Sequence, residues 1–200
     1  MSLRIHFKVA IPDDSARIAR LVQVAFNHVD VKWTGPDITL NRNFSMTSEE
    51  VLAIISNPNA VFLMAATGDG TPIGAVAAIK RTEKLARFAL LVVDPAFQAI
   101  GIGRRVLEQA EKYALSMWNA KILGLNALNT RGLLIKWYEK RGYAKTGEKS
   151  ELPAKVMGGL ALAKDVHFVE MEKHIKDVHV DGIEQPESRN FFETIVVVRC

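Results

Sequence analysis

The sequence predicts an α/β fold, a mixed and mostly antiparallel central sheet with helices packed against it. Three observations carry this. Apolar runs at Val61–Ala66, Pro72–Lys80 and Leu85–Val93 follow one another across short polar turns, the pattern of an antiparallel meander. From Gly103 the apolar period changes to that of a helix, with Val106, Leu107, Ala110, Ala114 and Met117 on one face. The short apolar stretch Lys121–Ala127 then follows that helix, so it suits a buried strand reached by a helical crossover.

Each element has its own signal. Ile5–Ala10 alternates like a strand, and P-D-D-S then supplies Pro12 and an Asp/Ser cap. The helix it opens carries Ile18, Leu21, Val22, Ala25 and Phe26 on one face. After Asp30 comes an irregular stretch, Val31–Met46, of the length at which loops tend to be functional or disordered. Thr47 and Glu50 form a capping box for a helix through Ile55, stopped by Asn57–Pro58. Asp69–Gly70 marks the first hairpin. Leu133–Arg141 reads as a helix ended by Gly142, and Tyr143–Glu148 and Val166–Lys173 read as closing strands. The order is β-α-α-β-β-β-α-β-α-β-β.

The chain has 200 residues and is 48% hydrophobic, enough to bury the core of one domain. Residues 1–176 form that domain, and 177–200 stand apart as a C-terminal extension. Ile195–Val198 is expected to add an edge strand, either to its own sheet or to a partner's in a homodimer. No apolar run is long enough to cross a bilayer, and no secretory signal is evident at Met1–Lys8. The lone Cys200 excludes an internal disulfide and points to a reducing, cytoplasmic setting. A net charge of +4, spread over scattered Lys and Arg, gives no nucleic-acid footprint. The five histidines lack a completing ligand set, so no metal is expected.

The stretch Q-A-I-G-I-G-R-R (Gln98–Arg105), between an apolar strand and a helix, suits anion binding. First-turn amides have no partner within a helix, and glycine lets a phosphate approach the backbone. A tight turn with solvated arginines is the plainer reading of the same residues. The string lacks the Walker pattern, and Val106 stands where a dinucleotide fingerprint would need its third glycine.

Two blocks together resemble the GNAT superfamily of N-acetyltransferases. One is Q-x-x-G-x-G (Gln98, Gly101, Gly103) after a strand ending V-D-P; the other is W-Y-E-K-R-G-Y (Trp137–Tyr143) on a later helix. The resemblance spans about residues 4–175 and implies a sheet whose parallel pair splays apart to receive acetyl-CoA. It implies that the backbone of Leu91, Val92 and Val93 pairs with the pantetheine arm. The pyrophosphate would rest on the loop Gln98, Ala99, Ile100, Gly101, Ile102, Gly103 and Arg104. Ala99 departs from the commonest form of that loop, which has glycine there. Ile100 leaves no cation at its position, so Arg104 and Arg105 would supply the charge.

Tyr138 matches the family tyrosine that protonates the departing thiolate, although an inner-face aromatic also serves packing. Arg131 stands where many relatives carry a cofactor-contacting Asn. Trp33 is a candidate wall of the acceptor pocket or a pin for its loop, and substrate choice is expected from Val31–Met46 and Ser150–Leu160. Glu83 lies at the start of the central strand and Asp30 and Asp37 near the expected substrate-facing loop, but spacing singles out none as a base. The implied activity is acetyl transfer to a primary amine of a small molecule or peptide, by direct attack in a ternary complex. A non-catalytic acyl-CoA sensor on the same fold is the alternative.

Overall fold

A computed structural model describes residues 2–28, 44–152, 165–175 and 194–199. Eight strands form one sheet: β1 (Ser2–Val9), β2 (Ala60–Thr67), β3 (Pro72–Lys80), β4 (Leu85–Val93), β5 (Ile122–Leu128), β6 (Ala144–Ser150), β7 (Phe168–His174) and β8 (Thr194–Arg199). Their spatial order is β6-β7-β5-β4-β3-β2-β1-β8. Among the described strands only β4 and β5 run parallel; every other neighbouring pair is antiparallel. The meander β2-β3-β4 has the boundaries its apolar runs and turns dictate, and Gly70 closes the first hairpin at φ 83°. β8 pairs with β1 of its own chain, with Ser2 opposite Arg199 and Phe7 opposite Thr194.

Among the described residues four α-helices cover the sheet: α1 (Ser15–Asn27), α2 (Ser48–Ile55), α3 (Ile102–Trp118) and α4 (Gly132–Glu139). α1 and α2 close over Phe62, Met64, Ala75, Ala77 and Val92 on one face. α3 and α4 cover the other, where Ile5, Phe88, Val106, Leu123, Tyr138 and Met171 form the larger core. Thr47 caps α2 reciprocally with Glu50, at 3.3 and 2.9 Å. Asp14 differs from its expected role as a cap. Its carboxylate accepts from the Lys8 Nζ at 2.9 Å and the Ile11 amide at 2.9 Å, which anchors the turn before α1. Asp14 is already in helical conformation, so its side chain reaches backward rather than to the helix amides.

Two irregularities shape the centre. The β3–β4 register shifts between Ala75 and Ala77, where Leu90 takes a φ of 54°, a bulge that bends β4. The β4–β5 pairing extends only from Leu85–Ile122 to Arg87–Gly124, so beyond Arg87 and Gly124 the two strands part. α3 packs directly on β3. A Cβ on Gly74 would lie 2.9 Å from Ile102 Cγ2 and 3.1 Å from Val106 Cγ2, so only glycine admits that approach. No described helix is long and apolar enough to cross a membrane.

Candidate functional site

The parting of β4 from β5 opens a cleft of about 670 Å³, bounded by the ends of β4 and by the N-termini of α3 and α4. The sequence reading is drawn together here to a large extent. Leu91, Val93, Gln98, Ala99, Gly101, Ile102, Gly103, Arg104, Arg131 and Tyr138 all line it. Val92 and Ile100 do not. The Val92 side chain is buried under α1 and α2, leaving only its backbone for the role assigned to it, and Ile100 is exposed. Arg105 is also absent from the lining, so Arg104 is the loop cation that faces the cleft. Trp33, Asp30, Asp37 and most of both acceptor segments lie outside the described residues.

The loop before α3 has the backbone of an anion seat. Ala99 and Gly101 take left-handed φ values of 64° and 88°, which turns successive amides to one side. The Asp94 carboxylate braces the approach by accepting from the Ala96 amide at 2.9 Å. Gln98 Nε2 donates to the Val93 carbonyl at 3.3 Å, tying the loop to the end of β4. The first-turn amides of α3 and the positive end of its dipole then point at the cleft mouth.

Tyr138 is 6% exposed and its ring packs edge-on between Trp137 and Tyr143. Its hydroxyl has no hydrogen-bond partner among the described residues. Burial pushes the phenol up to about 12, a rise moderated by the charges of Arg131 and Arg141. It is therefore a protonated donor at neutral pH. Tyr143 is a different kind of tyrosine. It donates to Glu111 Oε1 at 2.9 Å, and Lys173 Nζ donates to the other oxygen at 2.8 Å, which ties α3 to β7. Burial and the Glu111 carboxylate raise its phenol far above the ordinary range.

Sequence reasoning passed over Arg141, Thr130, Leu133 and Leu134, which also line the cleft. In the sequence Arg141 stands within the W-Y-E-K-R-G-Y block with no role of its own assigned to it. Its Nε is buried without a hydrogen-bond partner among the described residues, on the wall of a cleft that Arg104 and Arg131 also line. Three guanidinium groups and a helix N-terminus around one opening suit a phosphorylated ligand. Among the described residues, no group of three His, Cys, Asp or Glu side chains is placed to hold a metal ion.

The family model described as the acetyltransferase (GNAT) family matches residues 31–143. The chain belongs to the GNAT acetyltransferase family. No curated protein matches this GNAT sequence significantly. Among solved structures, it is similar to a candidate streptothricin acetyltransferase of Bacillus anthracis, in complex with acetyl coenzyme A. That match has 25% identity and a TM-score of 0.52, and covers 62% of this chain and 68% of the other. The ribosomal-protein-S18-alanine N-acetyltransferase of Escherichia coli shares its fold at 14% identity and a TM-score of 0.64, over 90% of this chain and 99% of that one. The PaiA N-acetyltransferase of Thermoplasma acidophilum, in complex with coenzyme A, does so at 17% identity and 0.59, over 85% and 98%. The mixed sheet with one splayed parallel pair is thus a GNAT sheet.

Proposed function

We propose that this GNAT chain transfers an acetyl group from acetyl-CoA to a primary amine of a small molecule or peptide, by direct attack in a ternary complex. One observation carries the reading. The left-handed loop at Ala99–Gly101, the freed edge of β4 and Tyr138 all meet in a single cleft. The acetyl-CoA and coenzyme A complexes of the Bacillus and Thermoplasma proteins support the choice of cosubstrate.

Acetyl-CoA supplies a thioester whose carbonyl carbon accepts the amine and whose sulfur departs as a thiolate. The amides from Gln98 to Arg104 hold its diphosphate, with Arg104 and Arg131 adding charge. The backbone of Leu91, Val92 and Val93 pairs with the pantetheine arm, because β5 has left that edge of β4 unpaired. A backbone N–H near Val93 stabilises the oxygen that becomes negative as the amine adds. Tyr138 gives its proton to the sulfur, and burial keeps that proton in place until it is needed.

The test has two stages. Millimolar acetyl-CoA should raise the melting temperature, and thiol release should then appear with one of spermidine, kanamycin or a peptide beginning with alanine. No thermal shift overturns the cofactor assignment. Binding without turnover on any of these amines would instead favour a sensor of acyl-CoA.

A further inference from the structure

The opposite face of the parted strands carries a polar network that the transfer chemistry above leaves unused. Ala89 is exposed there although it sits in the middle of the central strand β4. It shares this face with Ala77, its partner on β3, which belongs to the core under α1. Arg87 on β4, Asn126 on β5, Glu170 on β7 and Ser150 on β6 meet on the same side. Asn126 and Ala89 each lie two residues beyond the last β4–β5 pair, Arg87–Gly124, so they form the two lips of the gap.

Glu170 is 8% exposed, and its carboxylate is fully engaged. Arg87 Nη2 donates to Oε2, while Ser150 Oγ and Asn126 Nδ2, the latter at 3.2 Å, donate to Oε1. Burial opposes its ionisation, yet the bonds from Ser150, Arg87 and Asn126 outweigh that and hold the carboxyl below its ordinary range. A carboxylate tied in this way is a poor proton acceptor and a good anchor. Being an acceptor only, it also dictates which end of the Asn126 amide faces it. The NH₂ turns toward Glu170, and the carbonyl oxygen is turned away. That oxygen has no hydrogen-bond partner among the described residues, and it is not sealed from solvent.

We infer that Glu170 fixes Asn126 so that its side-chain carbonyl oxygen receives an N–H of the acceptor amine at the gap. The inference rests on the transferase reading above and deepens it. A primary amine that attacks in its neutral form still carries two N–H groups. Donating one to Asn126 aims the nitrogen lone pair through the gap toward the thioester carbonyl. Asn126 then touches substrate, and Glu170 acts as a positioning residue behind it. The ammonium loses one proton to solvent before the C–N bond forms. The second proton, shed by nitrogen as the intermediate collapses, also leaves to solvent and balances the one Tyr138 gives to sulfur, so the network is not asked to act as a base.

Asn126→Ala, Glu170→Gln and the double variant are compared with wild type on whichever of spermidine, kanamycin or the alanine peptide gives the fastest thiol release. Asn126→Ala should lower kcat/KM for the amine by about tenfold, the scale of one well-aligned hydrogen bond. The Kd for acetyl-CoA should stay within about twofold, since the residue lies off the cofactor cleft. Glu170→Gln should produce a similar loss by letting the amide turn, and the double variant should be little worse than either single one. If Glu170→Gln does not fold, Asn126→Ala decides alone, because it keeps the Arg87 and Ser150 bonds to Glu170. An amine kcat/KM within about twofold of wild type in Asn126→Ala would overturn the inference while leaving the transferase reading intact. A wild type that turns over none of the three amines overturns the transferase reading and this inference with it.

Discussion

Arg141 sits over Trp137, its guanidinium carbon 3.4 Å from the ring centroid, and its Nη1 donates to the Trp137 carbonyl at 2.6 Å. The stack holds a cation rigidly at the cleft wall, and Arg104 is near enough to depress its ionisation further after burial has done so. Such repulsion between two guanidinium groups is relieved when an anion sits between them. Arg141→Ala should therefore weaken coenzyme A binding by about 1–2 kcal/mol, with a shallower salt dependence than wild type, measurable by titration calorimetry. Unchanged affinity at both low and high salt would leave Arg141 a packing residue.

Tyr138→Phe removes one oxygen from a ring already held by Trp137 and Tyr143. Turnover should fall by about 10²–10⁴-fold, the usual contribution of a positioned general acid, with acetyl-CoA affinity nearly unchanged. Equal losses in both quantities would reduce the tyrosine to a binding or packing role.

The same phenol links stability to alkaline pH. Its folded pKa of about 12 lies above the value near 10 for an unfolded tyrosine. The folded state therefore keeps its proton longer, and the benefit is complete below pH 10 and lost as pH rises toward 12. Roughly 2–3 kcal/mol should disappear over that window, and Tyr143 adds to the loss in the same direction. Urea unfolding at pH 9 and pH 11 should show a smaller drop for Tyr138→Phe than for wild type.

Ala99 holds a φ of 64° that costs an L-residue about 1–2 kcal/mol. Glycine removes that strain but loses about 0.5–1 kcal/mol through the greater freedom of its unfolded chain. Ala99→Gly should thus gain up to about 1 kcal/mol and raise Tm by about 2–4 °C. A lower Tm would mean that the methyl group makes a contact worth more than the strain.

Gly74→Ala tests the seat of α3. Its new methyl would fall 2.9 Å from a branched Ile102 side chain that has little freedom to move. A loss of about 1–3 kcal/mol is expected, together with weaker acetyl-CoA binding as the first turn of α3 shifts. Loss of stability with unaltered affinity would separate the helix seat from the anion site.

Local chemistry made much of this legible. Thr47 with Glu50, Asp69 with Gly70, and the glycine at 142 each specify a backbone turn through neighbours in sequence, and each is found there. The bulge at Leu90 left no trace, because L-L-V-V offers the same apolar residues whether the strand runs straight or buckles. Asp14 was misjudged because the competing partner, Lys8, sits on another element. Arg141 and Glu170 share that difficulty. A charged residue in a string says nothing of its neighbours until the sheet order brings Trp137 beneath one and Arg87, Asn126 and Ser150 around the other.

β7 lies between β5 and β6, although β6 precedes it in the chain. During synthesis, a chain emerged as far as Ser150 has β5 with its outer edge bare and β6 with no strand to join. Residues 168–174 complete both at once, filling a slot rather than extending a margin. The contacts next to the gap are thus long-range ones that wait for β7, and Glu170 arrives with them. Before that moment Arg87 and Asn126 have no carboxylate to order them. The acceptor face is therefore assembled late, after the cofactor loop and Tyr138 have already left the ribosome.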